Sequence, residues 1–285
     1  MNRRAWFGRF LVLALVELLI GGVAFATPGW TITQLTNDND YSAHISGGNI
    51  VWMHWDGTDY EIESNFAGLL TNNSTTDGTP AISGTNVVWS GGDLPDTYEI
   101  YSNFAGQVTN NTADDFDPAI SGTNVVWVGW DGSDYEIYSN FAGQLTDNDY
   151  ADLSPAISGT NVVWQGRSGP DYEIYSNFAG QLTDNSGYNM LPDIFETNVV
   201  WESWDGHDYE IYTNFGGQVT DNDFDDYEPA IWGTTVVWDA IDGHDYWAIY
   251  KATYQSPGTI PAPGAILLAG AGAGLVRWLR RLRAL

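Results

Sequence analysis

Ser154-Pro-Ala-Ile-Ser158, Gly159-Thr160, Asn161-Val-Val-Trp164, Tyr172-Glu-Ile-Tyr-Ser176, Asn177-Phe-Ala-Gly180 and Gln181-Leu-Thr183 form one pass through a unit that the chain repeats six times. The Trp closing the Val-Val-Trp or Ile-Val-Trp phrase recurs at Trp52, Trp89, Trp127, Trp164, Trp201 and Trp238, 37 or 38 residues apart. Within each unit, four short runs rich in Val, Ile, Tyr, Trp and Thr are bounded by Gly, Asn, Asp and Pro, the composition of strands and turns. In Val125-Val126-Trp127-Val128 neighbouring side chains point to opposite faces, yet both faces are apolar, as a sheet sandwiched between two others requires. Four strands per unit with no helix between them predict four-stranded antiparallel blades around an axis. The fold class is therefore all-β, a six-bladed β-propeller over residues 27–256.

The ends of the array predict how the ring closes. The sixth unit stops after its third strand, Tyr246 to Ala252, while an orphan Ile32-Thr-Gln-Leu-Thr36 precedes the first unit. The N-terminal strand is thus expected to complete the last blade and seal the ring non-covalently. A solenoid, the alternative for a repeat chain, would need capping ends instead.

Outside the repeats lie two address segments. Residues 1–26 combine Arg3, Arg4 and Arg9, an apolar run from Phe10 to Ile20 and a small-x-small ending at Ala24-Phe25-Ala26, the layout of a secretory signal peptide, with a lasting anchor as the alternative. In residues 257–285, Pro261-Ala-Pro263 is followed by thirteen uninterrupted apolar residues, Gly264 to Val276, and then by Arg277, Arg280, Arg281 and Arg283. At 1.5 Å per residue that run makes about 20 Å of helix, a short membrane span. The arginines would hold the C-terminus on the cytoplasmic side and leave the body outside.

Charge narrows the function classes. The chain carries 37 acidic and 9 basic residues, a net charge of −28, and has no cysteine. Between the two ends only Arg167 and Lys251 are basic. Such a surface repels phosphates, which excludes nucleic acid as a partner. The lack of cysteine excludes disulfides, thiolate metal centres and thiol catalysis. In a propeller the outer-to-inner loops share a face with the second-to-third strand turns. Most of the acids fall in these segments, whereas the opposite face is built from Ser-Gly-Thr-Asn and Asn-Phe-Ala-Gly turns with Glu196 as its only loop acid. One intensely acidic and one nearly uncharged face are expected.

Two resemblances follow from these motifs. Repeated Leu-Thr, Asp-x-x-Pro, Ala-Ile-Ser-Gly, Val-Val-Trp and Asp-Gly-x-Asp-Tyr-Glu-Ile-Tyr over about residues 31–254 resemble the TolB-like family of six-bladed propellers, which implies the fold and a habit of binding proteins or ligands. Ser-Gly-Thr-Asn stands where that family usually has Ser-Pro-Asp-Gly, and the small α/β domain that precedes the propeller in TolB is absent. The tail resembles the PEP-CTERM sorting signals of exported bacterial proteins, with Ile-Pro-Ala-Pro263 in place of Val-Pro-Glu-Pro. That implies an exported, envelope-located protein at least transiently anchored through its tail, with an exosortase-type peptidase as a partner; a plain membrane anchor is the alternative.

Candidate site residues come from the acids. Asp40, Asp77, Asp115, Asp152, Asn189 and Asp226 recur one per unit just before the inner strand and are read as loop-structuring side chains that accept backbone N–H groups. The Asp-Gly pairs at Asp56, Asp131, Asp205 and Asp242 suit tight turns. The functional reading is calcium, with hard oxygen ligands in Asp147-x-Asp149-x-x-Asp152 and in Asp221-x-Asp223-x-Asp225-Asp226. Neither fits an EF-hand. Arg167, in a turn that has lost its Asp-Gly, is expected to form a local ion pair. The histidines, His44, His54, His207 and His244, form no catalytic motif, and no nucleophile elbow, metalloprotease helix or phosphate loop is present. The leading function is a non-catalytic binding or scaffold protein whose acidic face takes cations, a cationic protein or a glycan. Its alternatives are a secreted carbohydrate-active or hydrolytic enzyme using channel carboxylates, and a structural surface-layer or matrix component.

Overall fold

A computed structural model describes residues 40–92, 97–241 and 247–254. The signal-peptide segment, the orphan strand at Ile32–Thr36, the Asp242 turn with His244, and the sorting tail with Pro261, Pro263, Arg277, Arg280 and Arg281 lie outside the described residues. Among the described residues every regular element is a strand. None is a helix long and apolar enough to cross a membrane.

The strands form six antiparallel sheets in chain order, five of four strands and a last one of three. In the fourth blade they span Asp152–Ser158, Asn161–Ser168, Asp171–Ser176 and Gly180–Gln181. The predicted Gln-Leu-Thr strand is thus only two residues long. Its continuation pairs irregularly: Leu182 N–H still reaches the Ile174 carbonyl at 2.7 Å, but the Thr183 hydroxyl, not a backbone oxygen, accepts the Ile174 N–H at 2.8 Å. The same Thr-for-carbonyl exchange recurs at Thr71, Thr109, Thr146 and Thr220. It explains why Thr follows the apolar residue in each unit.

Packing between blades has one repeating recipe. Each blade offers a Val from its second strand and an Ile from its third. The next blade answers with its Trp, its own first Val and an inner-strand Ile. Val163 and Ile174 meet Ile194, Val199 and Trp201 in this way, and Val88 and Ile100 meet Val125 and Trp127. Five such cores join the six blades. On the uncharged face, side chains staple neighbours together. Ser121 Oγ accepts the Gly159 N–H of the following blade at 2.9 Å, and Asn124 Nδ2 donates to the Gly159 carbonyl at 2.8 Å. The Ser-Gly-Thr-Asn turn is thereby a blade-to-blade clasp, whose Gly sits at φ of 65–67° in five blades. In blade five Glu196 occupies that left-handed position at φ 57°.

The first and last blades depart from the pattern. Ile62, Ile100, Ile137, Ile174 and Ile211 are all fully buried, whereas their counterpart in blade six, Ile249, is 71% exposed. Val237 and the inner-strand Ile45 of blade one are likewise exposed, although their equivalents are covered elsewhere. The outer faces of these two blades thus leave exposed the apolar positions that the other blades cover.

Candidate functional site

At the acidic end of each interface sits a buried carboxyl cluster built from three sequence features. The recurrent inner-strand acid comes first: Asp77, Asp115, Asp152, Asn189 and Asp226 are all at most 3% exposed. Their side chains bind laterally, to the Trp and Asn of the repeat. Trp89 and Trp127 Nε1 donate to Asp77 and Asp115 at 3.1 Å, Trp201 to Asn189 at 3.1 Å and Trp238 to Asp226 at 2.7 Å. Asn73, Asn111, Asn148 and Asn222 donate their amides to the second oxygen at 2.6–2.8 Å. The predicted structuring role is thus carried by side-chain donors. Close approach matters here: a Cβ on Gly129 would lie 2.6 Å from Asp115 Oδ1 and 2.8 Å from the Tyr138 ring.

The second feature is the Glu of Tyr-Glu-Ile on the preceding blade. Glu61, Glu99, Glu136, Glu173 and Glu210 are each at most 6% exposed, and Oε1 of each accepts the N–H of the loop Asn. Glu and Asp therefore face one another across the blade interface. Burial, reinforced by the facing Glu, pushes Asp77 up to about 6 and Asp152 to about 7. Asp115 rises for the same reasons. Blade five makes the contact with an amide instead: Asn189 Nδ2 donates to Glu173 Oε2 at 2.9 Å, the bond that a shared proton makes between two acids. Blade six carries Ala248 where the others carry Glu. Blade one correspondingly binds its acid from within, His54 Nδ1 lying 2.9 Å from Asp40 Oδ1, and Trp52 Nε1 is left buried without an acceptor. That Glu was missed at the level of sequence because Tyr-Glu-Ile-Tyr reads as a solvent-facing acid in a half-buried strand. Its exact recurrence beside the inner-strand acid was the available signal.

The third feature is the hairpin turn. Asp56, Asp131 and Asp205 each cap their own turn, accepting N–H groups two and three residues on at 2.7–3.3 Å, with the following Gly at φ of 104–114°. Two residues past that Gly stands a second Asp, and then the buried Glu. In three turns, Asp56/Asp59/Glu61, Asp131/Asp134/Glu136 and Asp205/Asp208/Glu210, one oxygen from each residue falls within 4.8 Å of the others. Burial, with Asp131, Asp149 and Asp147 alongside, raises Asp134. Asp208 is raised by burial and by Asp205, Asp225 and Asp223. Carboxylates therefore converge in the hairpin turns. In the loops proposed for calcium, Asp147 and Asp149 stand near Asp134 and Asp223 near Asp208, Asp221 lies near Tyr212, Asp225 accepts the Tyr209 N–H at 3.0 Å, Asp152 accepts from Asn148, and Asp226 accepts from Asn222 and Trp238.

Three other acids are held above the ordinary range mainly by burial: Asp117, Asp193 and Glu202. Asp193 accepts N–H groups from Ile194 and, across the interface, Ile231. Glu202 accepts that of Glu228 in the next blade. Both are blade-linking acceptors. Arg167 departs from its expected ion pair: it makes none with the described residues. It instead lines a cavity of about 390 Å³ with Asp147, Tyr150, Asp152, Trp164 and Tyr175.

No protein-family profile matches the chain, and no curated protein resembles it in sequence. Among solved structures, the chain is similar to the β-propeller domain of the Trilobed protease from Pyrococcus furiosus, described as having an open velcro topology, with 10% identity over 78% of this chain and 86% of that one and a TM-score of 0.58. It is similar to the Pyrococcus horikoshii acylaminoacyl peptidase at 9% identity and a TM-score of 0.56, covering 82% of this chain but only 47% of the peptidase. A TolB from Agrobacterium tumefaciens aligns at 16% identity over 65% of this chain and 79% of that one, with a TM-score of 0.48. The protein has a β-propeller fold.

Proposed function

We propose that this is an exported, envelope-tethered propeller, TolB-like in its repeats, that acts as a non-catalytic binding scaffold through its acidic face. The observation that carries the reading is repetition: the Asp/Asn–Trp, Asn and Glu roles recur from interface to interface. A catalytic site needs a convergence that belongs to one place. The scaffold's partner is then selected by charge, a cation or a basic protein surface. The signal-peptide and PEP-CTERM-like segments supply the address, with the tail as membrane tether. The ring is read as six blades closed by Ile32–Thr36. The exposed apolar residues on blades one and six support closure, as does the complementary change at the two ends, where blade six has Ala248 in place of the Glu and blade one meets its acid with its own His54.

The test is binding of a cationic polypeptide such as polylysine to the full-length protein, titrated against salt in the presence of chelator. Neutralising Asp147, Asp149, Asp221 and Asp223 to Asn should weaken binding at least tenfold, whereas Glu196→Gln on the other face should not. Equal affinity for both variants would overturn the reading. One observation favours the second reading, a small-ligand or hydrolytic site: the Arg167 cavity occurs in a single blade. Screening for hydrolysis of sugars and peptides, with Arg167→Ala as control, decides it.

A further inference from the structure

The hairpin turns hold more negative charge than their hydrogen bonds satisfy. Glu136 and Glu210 are fully buried, and Asp208 is 6% exposed. Yet Oδ1 of both Asp134 and Asp208 is buried without any hydrogen-bond partner, and Oε2 of each Glu meets another acid, the facing Asp152 or Asp226, where a cation would be expected. Among the described residues, no Lys, Arg or His forms an ion pair with these carboxylates. A buried anion without a counter-charge costs several kcal/mol, so such groups are normally paired, protonated or bound to a metal. Blade four lacks the first Asp of the turn, with Ser168 in its place, and carries next to it Arg167, the one arginine of the propeller.

We propose that the turns Asp131/Asp134/Glu136 and Asp205/Asp208/Glu210, and by repetition Asp56/Asp59/Glu61, each bind one divalent cation of the calcium class. Oxygens that all bind one ion at 2.3–2.6 Å can be no more than about 5 Å apart, and those of each turn lie within 4.8 Å. The donors are all hard carboxylate oxygens, which suit Ca²⁺ and not the softer transition metals. Asp147 and Asp149, or Asp223 and Asp225, stand close enough to their turn's second Asp to raise it, so the loops can complete the shell. The calcium sites therefore lie in the turns, with the loop acids as outer contributors. This inference deepens the acidic-face reading by naming a ligand for it.

The experiment uses the full-length protein stripped with chelator. Trp55, Trp130 and Trp204 directly precede the three turns, so Tb³⁺ bound there should show emission sensitised by tryptophan and displaced by Ca²⁺. Calorimetric titration with CaCl₂, against NaCl of equal ionic strength, should include one site for each of the three turns found among the described residues. Asp208→Asn should remove one site. The exposed Asp205→Asn, which keeps the turn's acceptor, should weaken the same site at least tenfold even if Asp208→Asn folds poorly. Asp171→Asn, in the blade without the cluster, should leave the count unchanged. Heat indistinguishable from the NaCl control, or a site count that neither Asp205→Asn nor Asp208→Asn alters in folded protein, overturns the proposal. Polylysine binding is read in chelator, so it survives or fails independently.

Discussion

Ile211 and Ile249 occupy the same position in successive units, one enclosed between blades and the other 71% exposed at the end of the array. Replacing Ile211 by Ala opens a cavity in a fully buried core and should cost about 2–5 kcal/mol. For a domain of this size, that lowers the melting midpoint by roughly 5–15 °C. An exposed isoleucine would cost no more than about 0.5 kcal/mol. If blade six closes against Trp52 and Ile45 of blade one, Ile249→Ala in the full-length chain should match Ile211→Ala to within about 1 kcal/mol. Both variants are to be compared with the parent by calorimetry and urea titration at one ionic strength. A negligible shift for Ile249→Ala beside a full loss for Ile211→Ala would refute closure. Deleting residues 27–39 separates the two closed forms: destabilisation shows that the N-terminal strand completes blade six, while no change with Ile249 still sensitive shows a ring closed without a shared strand.

Three further outcomes are expected. Glu196→Gly should stabilise by about 0.5–1 kcal/mol, because Glu196 stands at φ 57° where five other blades have Gly; a loss of stability would show an unseen contact for its side chain. Asn124→Ala breaks a 2.8 Å clasp between blades three and four and should cost about 0.5–1.5 kcal/mol, measured by urea midpoint. Burial raises Asp193, so the folded state holds that proton more tightly than the unfolded chain. Its contribution is complete below the unfolded carboxylate pKa and is lost as pH rises through the raised value. Asp193→Asn should flatten the fall in stability with rising pH in that window, and an unchanged pH profile would exclude this assignment.

The blades were legible because their signal is periodic: Val-Val-Trp marks a strand apolar on both faces, and the Gly and Asn between runs mark its turns. The two-residue fourth strand was not, since Leu-Thr reads as strand whether a backbone oxygen or the Thr hydroxyl accepts the N–H. The recurrence of the Asp is plain in the sequence, but its partners, Trp Nε1 and an Asn four residues earlier in place of the expected backbone N–H groups, depend on side-chain direction that spacing alone does not supply. Calcium was sought in the loops because acids there are adjacent in sequence. Convergence in the turns required Glu136 and Glu210, which enter from a strand and become neighbours of Asp134 and Asp208 only through burial.

The clasps on the uncharged face all run in one direction: Ser and Asn of blades one to four reach the glycine or its equivalent in the blade that follows, whereas in blade five, with Phe195 in the Ser position, Asn198 does so alone. The first four blades therefore present the same donor and acceptor to the unit that comes next. Removing or duplicating one whole unit among them would rejoin each clasp to an equivalent partner and leave no orphan at the seam. The interfaces carry no count of blades. A propeller of this kind can change size by whole modules.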